Sequence, residues 1–140
     1  MSKKNKTILV ADDNPIMQKV TTKFLNNNNF TVYSAYSAEE CCVMAHDKQP
    51  QIILMDVILP DGNGKDVVKK LKEDEVTKNI PIIFTTNTLN LNKDDGNQTF
   101  EVDGQRYRAF AKPLHYRKLM STIHKEMNRN LHGGQLPPEK

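Results

Sequence analysis

Three carboxylates follow two short apolar runs. Asp12 and Asp13 follow Thr7-Ile8-Leu9-Val10-Ala11, and Asp56 closes Gln51-Ile52-Ile53-Leu54-Met55. A further apolar run, Ile80 to Phe84, ends in Thr85-Thr86, and Lys112-Pro113 ends the last one. Carboxylates gathered in one place repel each other, so one must protonate or a cation must join them. Hard oxygen donors with room for water favour Mg²⁺. Asp12, Asp13 and Asp56 are the candidate ligands. A cation, the Thr86 hydroxyl and the Lys112 ammonium around one carboxylate are what a phosphoryl group needs, because its charge is spread over three oxygens. The carboxylate in the middle can then act as nucleophile and form an aspartyl phosphate.

These groups converge only if the apolar runs are neighbouring strands. Between the runs lie helix-period stretches. Asn14-Pro15 caps and opens the first helix, with Met17, Val20, Phe24 and Leu25 on its apolar side and Gln18, Lys19 and Lys23 on the other. Thr31 to Ser34 reads as a second strand. Ser37-Ala38-Glu39-Glu40 is a capping box opening a helix to about His46. Val67, Val68 and Leu71 mark a third helix after the loop Pro60-Asp61-Gly62-Asn63-Gly64. A last helix runs from about His115 to Asn128, and residues 131–140 form a loose tail. Strand–helix alternation predicts an α/β fold, a flavodoxin-like doubly wound parallel sheet of five strands in the order 2-1-3-4-5. Ligands of such sheets bind beyond the strands' carboxyl ends, where the order reverses. That point lies between the first and third strands, which carry the acids.

The segment from Asn87 to Ala111 does not follow the alternation. A fourth helix is due there, yet Asn90 to Asn97 is a poor helix former. Thr99 to Val102 and Gln105 to Arg108 instead resemble a hairpin around Asp103-Gly104.

The chain has 140 residues, enough for one domain. A net charge of +3, from 20 basic and 17 acidic residues, is too weak and dispersed to argue for nucleic acid. The apolar runs are too short for a membrane span. Cys41 and Cys42 are adjacent in sequence and close no useful loop. They read as helix residues, one buried and one exposed, in a cytoplasmic protein. The four histidines lack metal-ligand spacing and read as solvated.

Four motifs together resemble the receiver domain of bacterial two-component response regulators, similar to the stand-alone chemotaxis and cell-cycle regulators. They are Ile8 to Asn14, Ile53 to Gly64, Pro81 to Thr86, and Ala111-Lys112-Pro113. The resemblance covers about Lys6 to Asn128 and places the domain within residues 1–130. It implies a signalling phosphoacceptor, not an enzyme, with Asp56 taking the phosphoryl group and Thr86 and Lys112 holding its oxygens. It also implies that Asp13 binds Mg²⁺ directly, Asp12 acts mainly through water, and the Ile58 carbonyl is a further ligand. The implied partners are a sensor histidine kinase or histidine-phosphotransfer protein and a downstream protein target, with the chain a monomer or weak homodimer.

Two departures from the family pattern set expectations. Ala109 stands where the family usually has an aromatic that changes rotamer, and Phe110 and Tyr107 sit in other registers, so the switch and output face are expected to be non-standard. Ile58 and Asn87 are expected to crowd attacking water and offer no base, giving a long-lived phosphorylated form. The alternative is a phosphorylation-independent interaction module on the same fold. A Mg²⁺ hydrolase would want Asp-x-Asp on one strand. A flavin site would want a Ser/Thr/Gly-rich loop where Asp12-Asp13-Asn14-Pro15 stands.

Overall fold

A computed structural model describes residues 6–87, 92–94 and 97–131, the side chains of 92–94, 97, 98 and 129–131 excepted. The strands are β1 (Lys6–Ala11), β2 (Phe30–Ala35), β3 (Ile52–Asp56), β4 (Ile58–Leu59), β5 (Gly62–Asn63), β6 (Ile82–Thr86), β7 (Asn92–Asp94), β8 (Asn97–Val102) and β9 (Gln105–Ala111). The helices are α1 (Pro15–Asn26), α2 (Ala38–Lys48), α3 (Gly64–Glu73) and α4 (Tyr116–Leu131). The tail expected from residue 131 lies outside the described residues, except that Leu131 itself ends α4.

The main sheet has the order β2-β1-β3-β6-β9-β8-β7. Its first five members are parallel and follow the expected order, with β9 as the fifth. The expectation of five strands falls short: β8 and β7 extend the sheet antiparallel beyond β9 to make it 7-stranded. β9 is therefore both the last parallel strand and one arm of the hairpin. Asp103 at φ 51° and Gly104 at φ 83° form its turn. Two consecutive left-handed residues are what a tight hairpin needs, and Asp-Gly accepts them at low cost.

The central strands are apolar on both sides because helices cover both sides. Leu9, Ile53, Met55 and Phe84 pack with Cys41 and Ala45 of α2 and Val67, Val68 and Leu71 of α3. On the opposite face Ile8, Val10, Ile52, Leu54 and Ile83 pack with Leu25 of α1 and Leu119 and Ile123 of α4. Asn14 caps α1 by accepting from the Ile16 and Met17 N–H groups. Ser37 caps α2 by accepting from Glu40 N–H. The inward face of α1 corrects the sequence reading. Gln18, Thr21 and Leu25 are buried, and Val20 is 47% exposed. The apolar count misplaced Gln18, whose carboxamide finds backbone carbonyls inside.

The described residues between β6 and β9 form strands and no helix. The rings of Phe100 and Tyr107 stand edge-on to Phe84, with centroids 4.8 and 5.6 Å away. Tyr107, Ala109 and Ala111 share one face of β9, and Phe110 packs on the other. Tyr107 thus shares the face of Ala109, contrary to expectation, because two residues along a strand restore the side.

Gly64 opens α3 hard against this aromatic group. A Cβ there would lie 2.5 Å from Phe84 Cε1. Phe84 is fully buried and braced by two other rings, so it has little room to yield. Gly64→Ala is expected to lower unfolding free energy by about 1–3 kcal/mol, read by urea denaturation. An unchanged midpoint would show that the ring can move aside.

Cys41 is buried and its thiol is pushed up to about 12 by that burial; Cys42 is half-buried, not fully exposed as expected. His46 is exposed, but its Nδ1 lies 2.7 Å from Asp74 Oδ2, linking the end of α2 to the residue after α3. The hydrogen bond to Asp74 raises the His46 pKa above 6.5, and the same bond lowers that of Asp74 below 3.8. The His46 contribution is fully present below pH 6.5 and is lost as pH rises through its folded value. The Asp74 contribution is present above pH 3.8 and is lost as pH falls through its folded value. An NMR titration should place His46 above 6.5 in the native chain and return it toward 6.5 in Asp74→Asn.

Candidate functional site

Strand register brings the candidate residues to one end of the sheet. Ala11 pairs with Met55, Asp56 with Thr85, and Thr86 with Ala111. Asp12, Asp56, Thr86 and Lys112 therefore sit at the carboxyl ends of four adjoining parallel strands. Lys112 N–H donates to the Thr86 carbonyl at 2.9 Å, which fixes where the lysine leaves β9. Thr86 is buried at the end of β6.

Lys112 Nζ donates to Asp12 Oδ2 at 2.7 Å and to Asp56 Oδ2 at 2.8 Å. The three side chains are nearly buried, at 8% exposure for lysine, 8% for Asp12 and 9% for Asp56. Asp13 is exposed at the lip. One carboxylate oxygen from each of Asp12, Asp13 and Asp56 falls within 4.8 Å of the other two. Asp12 Oδ1 accepts from Asn14 N–H at 2.9 Å, and Asp56 Oδ1 accepts from Ile58 N–H at 3.1 Å. The short β4–β5 ribbon holds Ile58 at the rim, its side chain 60% exposed. Asn87 follows on the exposed side of Thr86.

Burial pushes the Asp56 pKa above its ordinary 3.8, against the opposing pull of Lys112 and the Ile58 N–H. Burial works against the charge on Lys112, but its hydrogen bonds to Asp12 and Asp56 hold its pKa above 10.5. Both directions follow from two buried carboxylates sharing one ammonium. The donor set is all oxygen and carries more negative charge than one lysine offsets. It fits a small hard dication.

Of the residues singled out from the sequence, Asp12, Asp13, Asp56 and Lys112 meet in this pocket, Thr86 ends the adjoining strand, and Ile58 lies beside Asp56. Sequence reasoning missed Gln18, which touches the Asp12 backbone from α1. The signal was its i, i+3, i+7 spacing with Thr21 and Leu25, outweighed by its polarity.

The sheet is mostly parallel and doubly wound, with the acids and the lysine along one edge. The model for the response regulator receiver domain matches residues 8–124. The chain belongs to that family, and so to two-component signalling. Receiver domains are signalling phosphoacceptors that bind Mg²⁺ at an acidic pocket and interact with histidine kinases or phosphotransfer proteins. The chain is 30% identical over 119 residues to Protein PilH of Pseudomonas aeruginosa, covering 83% of this chain and 93% of PilH. It is 29% identical over 133 residues to the phosphate regulon transcriptional regulatory protein PhoB of the same organism, covering 95% of this chain but 56% of PhoB. The chain thus spans little more than half of PhoB. Among solved structures it is similar to a CheY-like receiver from Methanospirillum hungatei, with TM-score 0.75, 20% identity, and 94% and 100% of the two chains covered. It is also similar to the receiver of sensor histidine kinase PA1611 from P. aeruginosa, solved with a magnesium ion in its active-site cleft. There the TM-score is 0.74 at 21% identity, with 89% and 99% covered. Among the described residues no helix is long and apolar enough to cross a membrane.

Proposed function

We propose that Asp56 accepts a phosphoryl group from a sensor histidine kinase or histidine-phosphotransfer protein, and that the modified domain signals by altered binding to a downstream protein. The supporting observation is the Lys112 ammonium held between Asp12 and Asp56, with Asp13 beside them. Asp13, Asp56 and the Ile58 carbonyl would hold Mg²⁺ directly, with Asp12 acting mainly through water. When bound, the ion neutralises acid and phosphoryl oxygens that would otherwise repel. A carboxylate oxygen of Asp56 attacks phosphorus, the P–N bond of the donor breaks, and the imidazole nitrogen leaves with its electron pair. Lys112 then trades its contact with the Asp56 carboxylate for a phosphoryl oxygen, and the Thr86 hydroxyl donates to another. Residues 1–130 act as the receiver unit.

The long life expected of the adduct follows from its surroundings. Ile58 and Asn87 at the rim offer no base to activate water. After labelling with a small acyl phosphate, the adduct should persist for minutes or longer, read by intact mass. A half-life of seconds would overturn this.

A second reading, an interaction module that works without phosphorylation, is favoured by the strands that stand where a fourth helix was due, and by Ala109. A chain that takes no phosphoryl group from a small donor with Mg²⁺ would decide for it.

A further inference from the structure

We propose that Gln18 is a positioning residue for the acid pair. Its carboxamide holds the end of β1 from which Asp12 and Asp13 project, and thereby sets the Mg²⁺ affinity of the pocket. This rests on the function proposed above.

The β1–β2 ladder ends at the pair Ala11–Ala35, one residue short of the acids. Beyond that point Asp12 N–H still donates to the Ala35 carbonyl at 3.0 Å. Gln18 completes the attachment from α1. Its Nε2 donates to the carbonyls of Ala35 at 2.8 Å, Val10 at 2.9 Å and Asp12 at 3.1 Å. The backbone of Asp12 is thus held at both its N–H and its C=O, and Ala35 O joins the two attachments. Gln18 is 2% exposed, and among the described residues its buried Oε1 has no hydrogen-bond partner. An orphaned carbonyl is costly in a protein interior. Turning the amide over would set that oxygen against three carbonyl oxygens. The three carbonyls therefore fix the orientation, and the molecule tolerates the orphan to keep the end of β1 in place.

Mg²⁺ demands near-ideal geometry and forgives little displacement of its ligands. Groups that orient metal ligands typically change metal affinity ten- to hundredfold when removed. Gln18→Met keeps length and volume but removes the donors. Thr21→Val, on the same buried face of α1, loses a hydrogen bond to Tyr116 Oη rather than one to β1 and serves as the control for lost packing or stability.

Calorimetric titration with MgCl₂ should show Gln18→Met binding about tenfold more weakly than the native chain, with Thr21→Val unchanged. In the native chain the Gln18 side-chain NH₂ signals should shift with the same Mg²⁺ midpoint, a measurement that needs no variant. Native affinity in Gln18→Met, an equal loss in Thr21→Val, or NH₂ signals that stay still would each overturn the inference. A native chain that binds no Mg²⁺ and takes no phosphoryl group would instead bring down the proposed function, and this inference with it.

Discussion

Lys112→Met should lower the stability of the metal-free chain by about 3 kcal/mol, with Mg²⁺ restoring most of the loss. The lysine is a cationic partner of two nearly buried carboxylates, at 2.7 and 2.8 Å. Removing it leaves their charges facing each other with little solvent between them. Breaking a buried pair from one side costs more than its net worth, because the remaining charge keeps its desolvation penalty. Mg²⁺ should also stabilise the variant more than the native chain. In the native chain the ion must compete with an ammonium already in place; in Lys112→Met it meets unpaired acids. Urea denaturation of both proteins, in chelator and in excess Mg²⁺, supplies the comparison. Equal Mg²⁺ stabilisation of the two would show that the ammonium and the ion do not compete for these oxygens.

Asp56→Asn should abolish phosphoryl uptake while leaving the metal-free chain at least as stable as the native one. Loss of uptake follows because an amide oxygen is a poor nucleophile in this role. The retained stability follows from the raised pKa of Asp56. Burial disfavours its ionised form, and Lys112 does not fully offset that. With asparagine in its place, Lys112 and Asp12 form a one-to-one pair. Melting in chelator with intact-mass analysis after incubation with an acyl phosphate gives both outcomes. A variant that still takes up one phosphoryl group would move the phosphoacceptor elsewhere. A variant much less stable than the native chain would mean that Asp56 ionises at a net gain.

Much of this was legible in the residues because the strands announce themselves. Ile52 to Met55 and Ile82 to Phe84 are continuous apolar runs, as strands covered on both faces must be, and each ends at a candidate site residue. The Asp103-Gly104 turn was legible for a different reason: few other residue pairs accept two left-handed conformations in sequence. What the sequence hid lay in tertiary context. Gln18 is polar, and only the carbonyls at the ends of β1 and β2 make its burial favourable. β7, Asn92–Asp94, has no apolar alternation to reveal it, so the sheet's extension past β8 could not be counted. Tyr107 was set apart from Ala109 although two residues along a strand share a side, and its packing on Phe84 depends on the hairpin that carries Phe100 to the same ring. The hairpin therefore covers, with the rings of Phe100 and Tyr107 against Phe84, the face where a helix was due.

The most direct test of the central claim is to incubate the native chain with a small acyl phosphate, with Mg²⁺ or with chelator, and map the adduct by intact and peptide mass. One phosphoryl group should appear, on Asp56, and only in the arm with Mg²⁺. An adduct on another residue, or equal uptake in chelator, would contradict it.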